Sequence, residues 1–336
     1  MFASAGYKAA SISLDLSKWD MSKVVYPLQM FYEFGKNAKS LSLGDLSNWD
    51  TSSFKTMEYL FTKCGAYSTS MDIGNVDNWN TSNVTSMLGT FNGLGGYSSS
   101  WNIGNLSTKT VTKEDGTTYT AWDVSKVTNM EYTFAVTGRN TTNWSVGDIS
   151  NWNVSSVTIM DSLFHGIGVN VTTLDLSGWT TTSLVNTTKM FYSNSNLANI
   201  YVGDGWDMTN VTESSMMFSS VPKLPNYNSS VVDKTNAHTG EGGYLQRKPV
   251  TFNFTIDGVT YTAEEGMTWA TWVDSSYDTR GFVNNNDLIY TDDLTYALVY
   301  EVVTDGITSY SWPAATDLID ASLVYVTFNE GAEDPI

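Results

Sequence analysis

Residues 46–61 read LSNWDTSSFKTMEYLF, and variants of this phrase recur along the first two thirds of the chain, for example at residues 78–91 and 122–134. When the copies are aligned on tryptophan, an apolar residue stands five positions later and phenylalanine stands twelve positions later. Because each repeat carries an apolar face that it cannot bury alone, the pattern predicts a solenoid of stacked coils. The seven tryptophans that mark the repeats are Trp19, Trp49, Trp79, Trp122, Trp152, Trp179 and Trp206.

The two halves of the repeat have different apolar periods. Before tryptophan, apolar residues alternate, as in Leu41-Ser42-Leu43, which is typical of a short strand. After tryptophan, apolar residues at positions five, eight and twelve follow the spacing of a helix face. Serine at position three, such as Ser52 or Ser82, suits a helix N-cap. These patterns predict an α/β leucine-rich-repeat-like solenoid of about seven coils, each 27–30 residues long, over residues 1–226.

The interval between Trp79 and Trp122 is 43 residues, whereas the neighbouring intervals are 30. The additional residues, within 108–121, alternate β-forming side chains around Asp115-Gly116, a dipeptide that favours the tight turn of a hairpin. The sequence therefore predicts a hairpin that projects from one coil. We expect a binding surface on the exposed strand side and around this hairpin, with candidate contact residues Lys109, Glu114, Asp115 and Tyr119.

The repeated phrases resemble the BspA-like leucine-rich repeats of bacterial surface proteins. The resemblance covers residues 1 to about 226 and is carried by Trp-[Asp/Asn]-x-Ser together with the phenylalanine twelve positions after tryptophan. It implies extracellular display and a role in adhesion or recognition, and it implies no catalytic residues. This chain departs from the family in its longer coils, in the inserted hairpin and in the lack of a recognisable secretion signal.

The repeat ends after Phe218, and the composition then changes. Residues 227–249 contain TGEGG and are interpreted as a linker. Residues 250–330 alternate β-forming segments, with strands expected at 250–256, 259–262, 287–291, 295–303 and 322–328, and are followed by a tail at 331–336.

A short helix is expected in this second region, because Trp269, Trp272 and Val273 share one helical face. The predicted order of elements favours a small α+β domain, for which a β-grasp-like topology is one candidate. The phrase FTIDGVTYTAEEGMTWATWV at residues 254–273 resembles small domains of bacteriophage structural and tail proteins.

The composition excludes several classes of function. A formal net charge of −18, from 17 basic and 35 acidic residues, disfavours a nucleic-acid partner. A single cysteine rules out a disulfide framework, and two histidines disfavour a zinc site. No apolar run approaches the roughly 20 residues of a membrane-spanning helix. We therefore expect no cofactor, no metal and no insertion into a membrane.

Residues with reactive chemistry have ordinary structural explanations in this context. His165 and Cys64 lie inside repeats, and the adjacent carboxylates Glu264-Glu265 and Asp292-Asp293 are typical of solvated surface. The recurring Gly-[Asp/Asn] steps admit two explanations, a ladder of Asx turns at a tight bend or a column that binds a divalent ion or a glycan. The steps are Gly44-Asp45, Gly74-Asn75, Gly104-Asn105 and Gly147-Asp148.

Met1-Phe2 aligns with Met30-Phe31, so the chain begins halfway round a coil. Solenoid ends need a cap, so either Met1 is an internal position of a longer array or a partner covers the open end.

The sequence favours a non-catalytic recognition or adhesion protein that acts outside the cell. It would belong to a bacterial cell surface or to a phage particle, for example in a tail fibre that recognises the host. Its partners would be a host-surface protein or glycan, other virion components, or further copies of the chain. One alternative is a purely architectural virion protein. Another is a polysaccharide-cleaving enzyme, which would require two carboxylates about 5–10 Å apart in a cleft.

Overall fold

A computed structural model describes residues 1–249 in full and, beyond them, the backbone of six strands. The chain divides into two compact units, Met1–Lys248 and Pro249–Ile336. The first unit contains eight short strands, which are β1 (Ile12–Ser13), β2 (Ser40–Ser42), β3 (Ser70–Asp72), β4 (Ser100–Asn102), β5 (Lys109–Thr112), β6 (Thr118–Ala121), β7 (Thr173–Leu176) and β8 (Asn199–Val202).

The first unit is a solenoid, as the repeat predicts. Strands β1 to β4 form one parallel sheet in register, with Leu41 beside Met71 and Met71 beside Trp101. Strands β7 and β8 form a second parallel pair. The coil between them, which contains Trp144, has no strand at the corresponding position, and a gap of about 370 Å³ lies between residues 144–149 and 170–175. The strand side of the solenoid is therefore interrupted once.

The predicted helix after each tryptophan is wrong, because this half of the coil is a run of overlapping turns. Among the described residues the only helix is a single 3-10 turn at Lys234–Asn236. In this half of the coil, successive backbone N–H groups donate alternately within a turn and to the next coil. Leu60 N donates to Met57 O at 3.2 Å within a turn, and Phe61 N donates to Thr90 O of the next coil at 2.8 Å. The fold is thus a β-solenoid rather than an α/β solenoid.

Positive backbone φ angles explain why no helix forms there. Tyr59 and Lys63 both have φ of 55°, in the left-handed region, so right-handed helix cannot continue through either residue.

The serines expected as helix N-caps close a different turn. Ser52 donates its backbone N–H to Asp50 Oδ1 at 3.0 Å, which closes an Asx turn directly after tryptophan.

The core is built from two columns of stacked rings. The rings of Trp49 and Trp79 lie 5.8 Å apart with planes 7° from parallel, and those of Phe61 and Phe91 lie 6.0 Å apart at 4°. Each buried tryptophan removes about 150–250 Å² of surface from water. The fully buried members are Trp79, Trp122, Trp152, Trp179, Phe31, Phe61, Phe91, Phe134, Phe164, Phe191 and Phe218.

The Gly-[Asp/Asn] steps form the expected ladder of Asx turns. Asp45 Oδ1 accepts from Ser47 N at 2.9 Å, and Asn75 Oδ1 accepts from Asp77 N at 2.7 Å. The four glycines of the column have φ between 76° and 80°, where residues with a Cβ are strained. Within residues 1–249, no group of three or more His, Cys, Asp or Glu side chains is arranged to hold a metal ion.

Residues 221–248 pack against the last coil. Tyr244 is fully buried, and its hydroxyl donates to Val231 O at 2.7 Å. Gln246 pairs with Tyr201 beside β8, and Lys248 Nζ lies 2.6 Å from Asp175 Oδ2. This segment therefore covers the C-terminal face of the coil stack.

Of the second unit the structure describes six strands: β9 (Thr251–Ile256), β10 (Val259–Glu264), β11 (Ile289–Tyr290), β12 (Leu294–Thr304), β13 (Ile307–Ser311) and β14 (Leu323–Asn329). Strands β9 and β10 form an antiparallel hairpin, and β12 pairs antiparallel with β11, β13 and β14. The helix expected around Trp269 and Trp272 lies outside the described residues, as do Glu265 and Asp292-Asp293.

Candidate functional site

The insertion before Trp122 is a hairpin of strands β5 and β6, with Thr110 opposite Thr120. Its turn is closed by Asp115, whose Oδ1 accepts from the backbone N–H and the hydroxyl of Thr117 at 2.9 and 2.6 Å. These bonds hold the pKa of the Asp115 carboxyl below its ordinary value. Gly116 has φ of 82°, as the turn requires. Asp115 therefore shapes the tip of the hairpin.

Three contacts hold the hairpin against the two preceding coils. The Tyr119 hydroxyl donates to the carbonyl oxygen of Asn78 at 2.5 Å. Lys109 Nζ lies 3.9 Å from Asp77 Oδ2, and Lys113 Nζ lies 3.9 Å from Asp50 Oδ2. The same Lys113 ammonium lies 5.6 Å from the centroid of the Tyr119 ring, within cation–π range. The hairpin is thus a fixed part of the surface.

A groove of about 340 Å³ lies between the hairpin and the coils, and we call it the hairpin groove. Its walls combine amides, two carboxylates, an ammonium group and a phenol ring, a set that can bond to many hydroxyl groups at once. The side chains that supply these groups are Asn48, Asp50, Asn78, Asn80, Lys113, Glu114 and Tyr119.

Two of the four candidate contact residues line the groove. Glu114 and Tyr119 do, whereas Lys109 pairs with Asp77 outside the lining and Asp115 is engaged in the turn. The four predicted contact residues do not include five further polar side chains of the lining, which are Asn48, Asp50, Asn78, Asn80 and Lys113. The position of the insertion could have predicted them. A hairpin inserted directly before Trp122 lies close to the residues that flank Trp49 and Trp79 in the two preceding coils.

Two side chains of the coil wall have unused hydrogen-bonding groups. The amides of Asn48 and Asn78 have no hydrogen-bond partner among residues 1–249, and the two residues occupy the same position, one before tryptophan, in successive coils. Asn80 differs, because its Oδ1 accepts from Ser82 N at 3.1 Å and from Ser82 Oγ at 2.7 Å. Each free amide offers two donor hydrogens and one acceptor oxygen to a ligand.

Hydrogen bonds, burial and nearby charges shift the pKa values of two side chains of the groove, Asp50 and Tyr119. Hydrogen bonds from Ser52, with the nearby Lys113 ammonium, keep the pKa of Asp50 below its ordinary value. Burial, with the adjacent Asp50 charge, raises the pKa of the Tyr119 hydroxyl. At neutral pH the groove therefore presents an ionised Asp50 and a neutral Tyr119, which are suited to bind polar groups.

The other reactive residues lie elsewhere. His165 packs edge-on against Tyr192, with ring centroids 4.9 Å apart, and burial together with Arg139 and Lys189 lowers the pKa of its imidazole. Cys64 is completely buried in the core, and burial raises the pKa of its thiol. Neither side chain lines the hairpin groove. No helix in the described part of the chain is long and apolar enough to cross a membrane.

A family model described as "Mycoplasma protein of unknown function, DUF285" matches residues 1–121 and residues 109–231. The two matches cover the repeated part of the chain and fit a BspA-like repeat protein, but they do not extend to the region that resembles bacteriophage domains. No curated protein and no solved structure matches the chain. Since the family model covers more than half of its residues, the chain belongs to the family of Mycoplasma proteins of unknown function called DUF285.

Proposed function

We propose that this protein is a non-catalytic recognition protein that binds a glycan of a host surface through the hairpin groove. The observation that carries the proposal is the groove itself. One wall is a hairpin held by three contacts, and the other presents the free amides of Asn48 and Asn78. Sugars are recognised by such fixed polar groups placed beside an aromatic ring, here Tyr119.

The rigidity of the coils supports this role. Each coil is bonded to the next by backbone hydrogen bonds and by stacked rings, so the groove walls keep their spacing without a ligand. A preformed site loses little conformational freedom on binding.

The proposed location is outside the cell, on a bacterial surface or on a phage particle that recognises its host. Gold-labelled antibodies against the chain, applied to intact producer cells and to purified particles, separate the two locations. Particles in which this chain makes extensive symmetric contacts, with the hairpin groove covered, would replace recognition by an architectural role.

The direct test compares binding of the whole chain to a glycan array and to intact host cells. The double variant Asn48→Ala/Asn78→Ala removes the free amides, and we expect it to weaken binding at least about tenfold, since two or more hydrogen bonds are lost. Asn151→Ala is the matched control, because Asn151 also precedes a tryptophan but lies outside the groove lining. If the unaltered chain binds neither glycans nor cells, or if the double variant binds as well as the control, this function is excluded.

A further inference from the structure

A second polar cavity lies where three later coils meet, and we call it the Arg139 pocket. It encloses about 120 Å³, and its lining includes Arg139, Val169, Ser193, Ser195 and Asn196. No aspartate or glutamate lines it. It shares no residue with the hairpin groove and does not depend on the function proposed there.

Arg139 lacks the carboxylate partner that an arginine in so acidic a chain would be expected to find. Arg139 is half-buried, and its guanidinium packs against Gly166. A Cβ added at Gly166 would lie only 3.3 Å from Arg139 Nη1. Its single side-chain hydrogen bond is a 3.4 Å contact from Nη2 to Ser193 Oγ, and no carboxylate within residues 1–249 forms an ion pair with it. By contrast, Arg247 pairs with Asp204 at 2.8 Å. Most of the five N–H donors of Arg139 are therefore unused.

A second cation is held at the edge of the pocket. Lys223 Nζ donates to Asn196 Oδ1 at 2.7 Å, while the amide nitrogen of the same Asn196 donates to Val169 O at 2.6 Å. Asn196 is thereby fixed at both ends and keeps the ammonium beside the lining. The positive charges of Arg139 and Lys189 also act on the neighbouring His165 imidazole and help lower its pKa. Asp161 acts on the same imidazole in the opposite direction but with a smaller effect, so the positive charges prevail at this place in a strongly acidic chain.

We propose that the Arg139 pocket binds the carboxylate of a ligand, such as an acidic sugar or the C-terminus of a peptide. The guanidinium fork of Arg139 matches the two oxygens of a carboxylate, and Lys223 supplies a second positive charge. The exposed hydroxyl of Ser195 is a further donor in the lining. A cavity of about 120 Å³ admits the acid group and a few further atoms, so most of a larger ligand lies outside it.

The test is a titration of the isotope-labelled full chain with glucuronate and, separately, with N-acetylglycine at low ionic strength, followed by NMR. We expect the backbone amide signals of Gly168, Val169 and Ser195 to shift with saturation. Binding should weaken as salt is added, because the attraction is electrostatic. Inorganic phosphate is the competing probe, and tighter binding of phosphate than of either carboxylate would overturn the assignment.

Variants identify the group responsible. Arg139→Gln should weaken binding of glucuronate at least about tenfold, since charge-assisted hydrogen bonds are lost, and Arg139→Lys should keep part of it, because the charge remains while the fork is lost. Lys223→Gln changes a rim residue and provides a second test if Arg139→Gln folds poorly. Arg247→Gln is the control and should bind as the unaltered chain does. Equal affinity of Arg139→Gln and Arg247→Gln, or no binding of carboxylates by the unaltered chain, would refute the proposal.

Discussion

The indole Nε1 of Trp79 donates a hydrogen bond of 2.9 Å to the carbonyl oxygen of Leu46 in the preceding coil. The bond repeats along the stack, from Trp49 to Leu16 O at 2.8 Å and from Trp122 to Val76 O at 3.0 Å. Tryptophan therefore does more than fill the core. Its ring stacks on the next ring while its one polar atom bonds backbone of the coil before it, so the burial of the N–H carries no penalty.

Replacing Trp79 by phenylalanine tests this bond. The substitution keeps an aromatic ring in the stack but removes the N–H, and we expect the free energy of unfolding to fall by about 1–3 kcal/mol. Trp19→Phe is the control, because the Trp19 indole has no acceptor among residues 1–249 and should therefore show a smaller loss. Urea denaturation followed by far-UV circular dichroism measures both. A loss for Trp79→Phe no larger than that for the less buried Trp19→Phe would contradict a stabilising role for the bond.

Gly74→Ala should be among the most damaging single changes in the solenoid. Gly74 has φ of 76°, and an added Cβ would lie 1.9 Å from the carbonyl oxygen of Gly44, which is fixed backbone. We expect a loss of more than about 3 kcal/mol. Gly116→Ala separates backbone strain from steric clash. Gly116 has φ of 82°, but no atom lies within 4 Å of the added Cβ. We therefore expect this variant to lose only the backbone strain, about 1–2 kcal/mol. Thermal melts that rank the two variants the other way round would contradict this explanation.

Deleting residues 109–121 should leave the solenoid folded. The deletion joins Thr108 to Trp122, which restores the arrangement of Asn78 and Trp79 in the preceding repeat. The lost contacts with the coils are two ion pairs, one hydroxyl bond and the packing of Ala121, Val111 and Tyr119 against the core, so the cost should stay below about 3 kcal/mol. Circular dichroism should be nearly unchanged, while the glycan binding proposed for the hairpin groove should be lost. Deletion of residues 130–142, equal in length, removes Met130 and Phe134 from the core and should abolish folding.

The Asx turns should make the solenoid sensitive to acid. Hydrogen bonds from Ser17, Ser22 and Ser52 lower the pKa values of Asp15, Asp20 and Asp50 in the folded state. A lowered folded-state pKa contributes stability that is present above the unfolded value, near 3.9, and is lost as the pH falls through the folded value.

The triple variant Asp15→Asn/Asp20→Asn/Asp50→Asn keeps the acceptor oxygens without the charge, as Asn80 already does in a corresponding turn. Its unfolding free energy should therefore decline less than that of the unaltered chain between about pH 5 and pH 2. Parallel declines in chemical denaturation at each pH would show that these three carboxyl groups do not govern the acid transition.

The coil period could be predicted because the core repeats in strict register, and buried rings such as Trp79 and Phe91 leave a periodic trace in the sequence. The conformation of the second half could not be predicted from apolar spacing. Intervals of three and four residues fit a helix, and they also fit overlapping turns whose N–H groups bond the next coil. The glycines that recur in that half, among them Gly65, Gly89 and Gly93, were the available signal, since all three have positive φ.

The hairpin groove was predictable only on its hairpin side. Glu114 and Tyr119 belong to the insertion itself, which the lengthened interval makes visible. Asn48 and Asp50 join them because the hairpin leans over earlier coils, and that direction depends on contacts such as Tyr119 to Asn78, 41 residues apart in the chain. Contacts of this kind occur once in the chain, so they leave no periodic pattern in the sequence from which the direction of the hairpin could be predicted.

The hairpin enters between Thr108 and Trp122 without disturbing the stack, since Trp79 and Trp122 still lie 6.2 Å apart with planes 13° from parallel. The buried rings that stabilise the coil are therefore separate from the surface residues that the inserted hairpin carries. The position before each of the seven repeat tryptophans is a place where a foreign loop could be grafted, and adjacent places are about one strand spacing, 4.8 Å, apart. A protein built in this way can acquire new specificities one loop at a time, and its coils could serve as a scaffold for engineered binding loops.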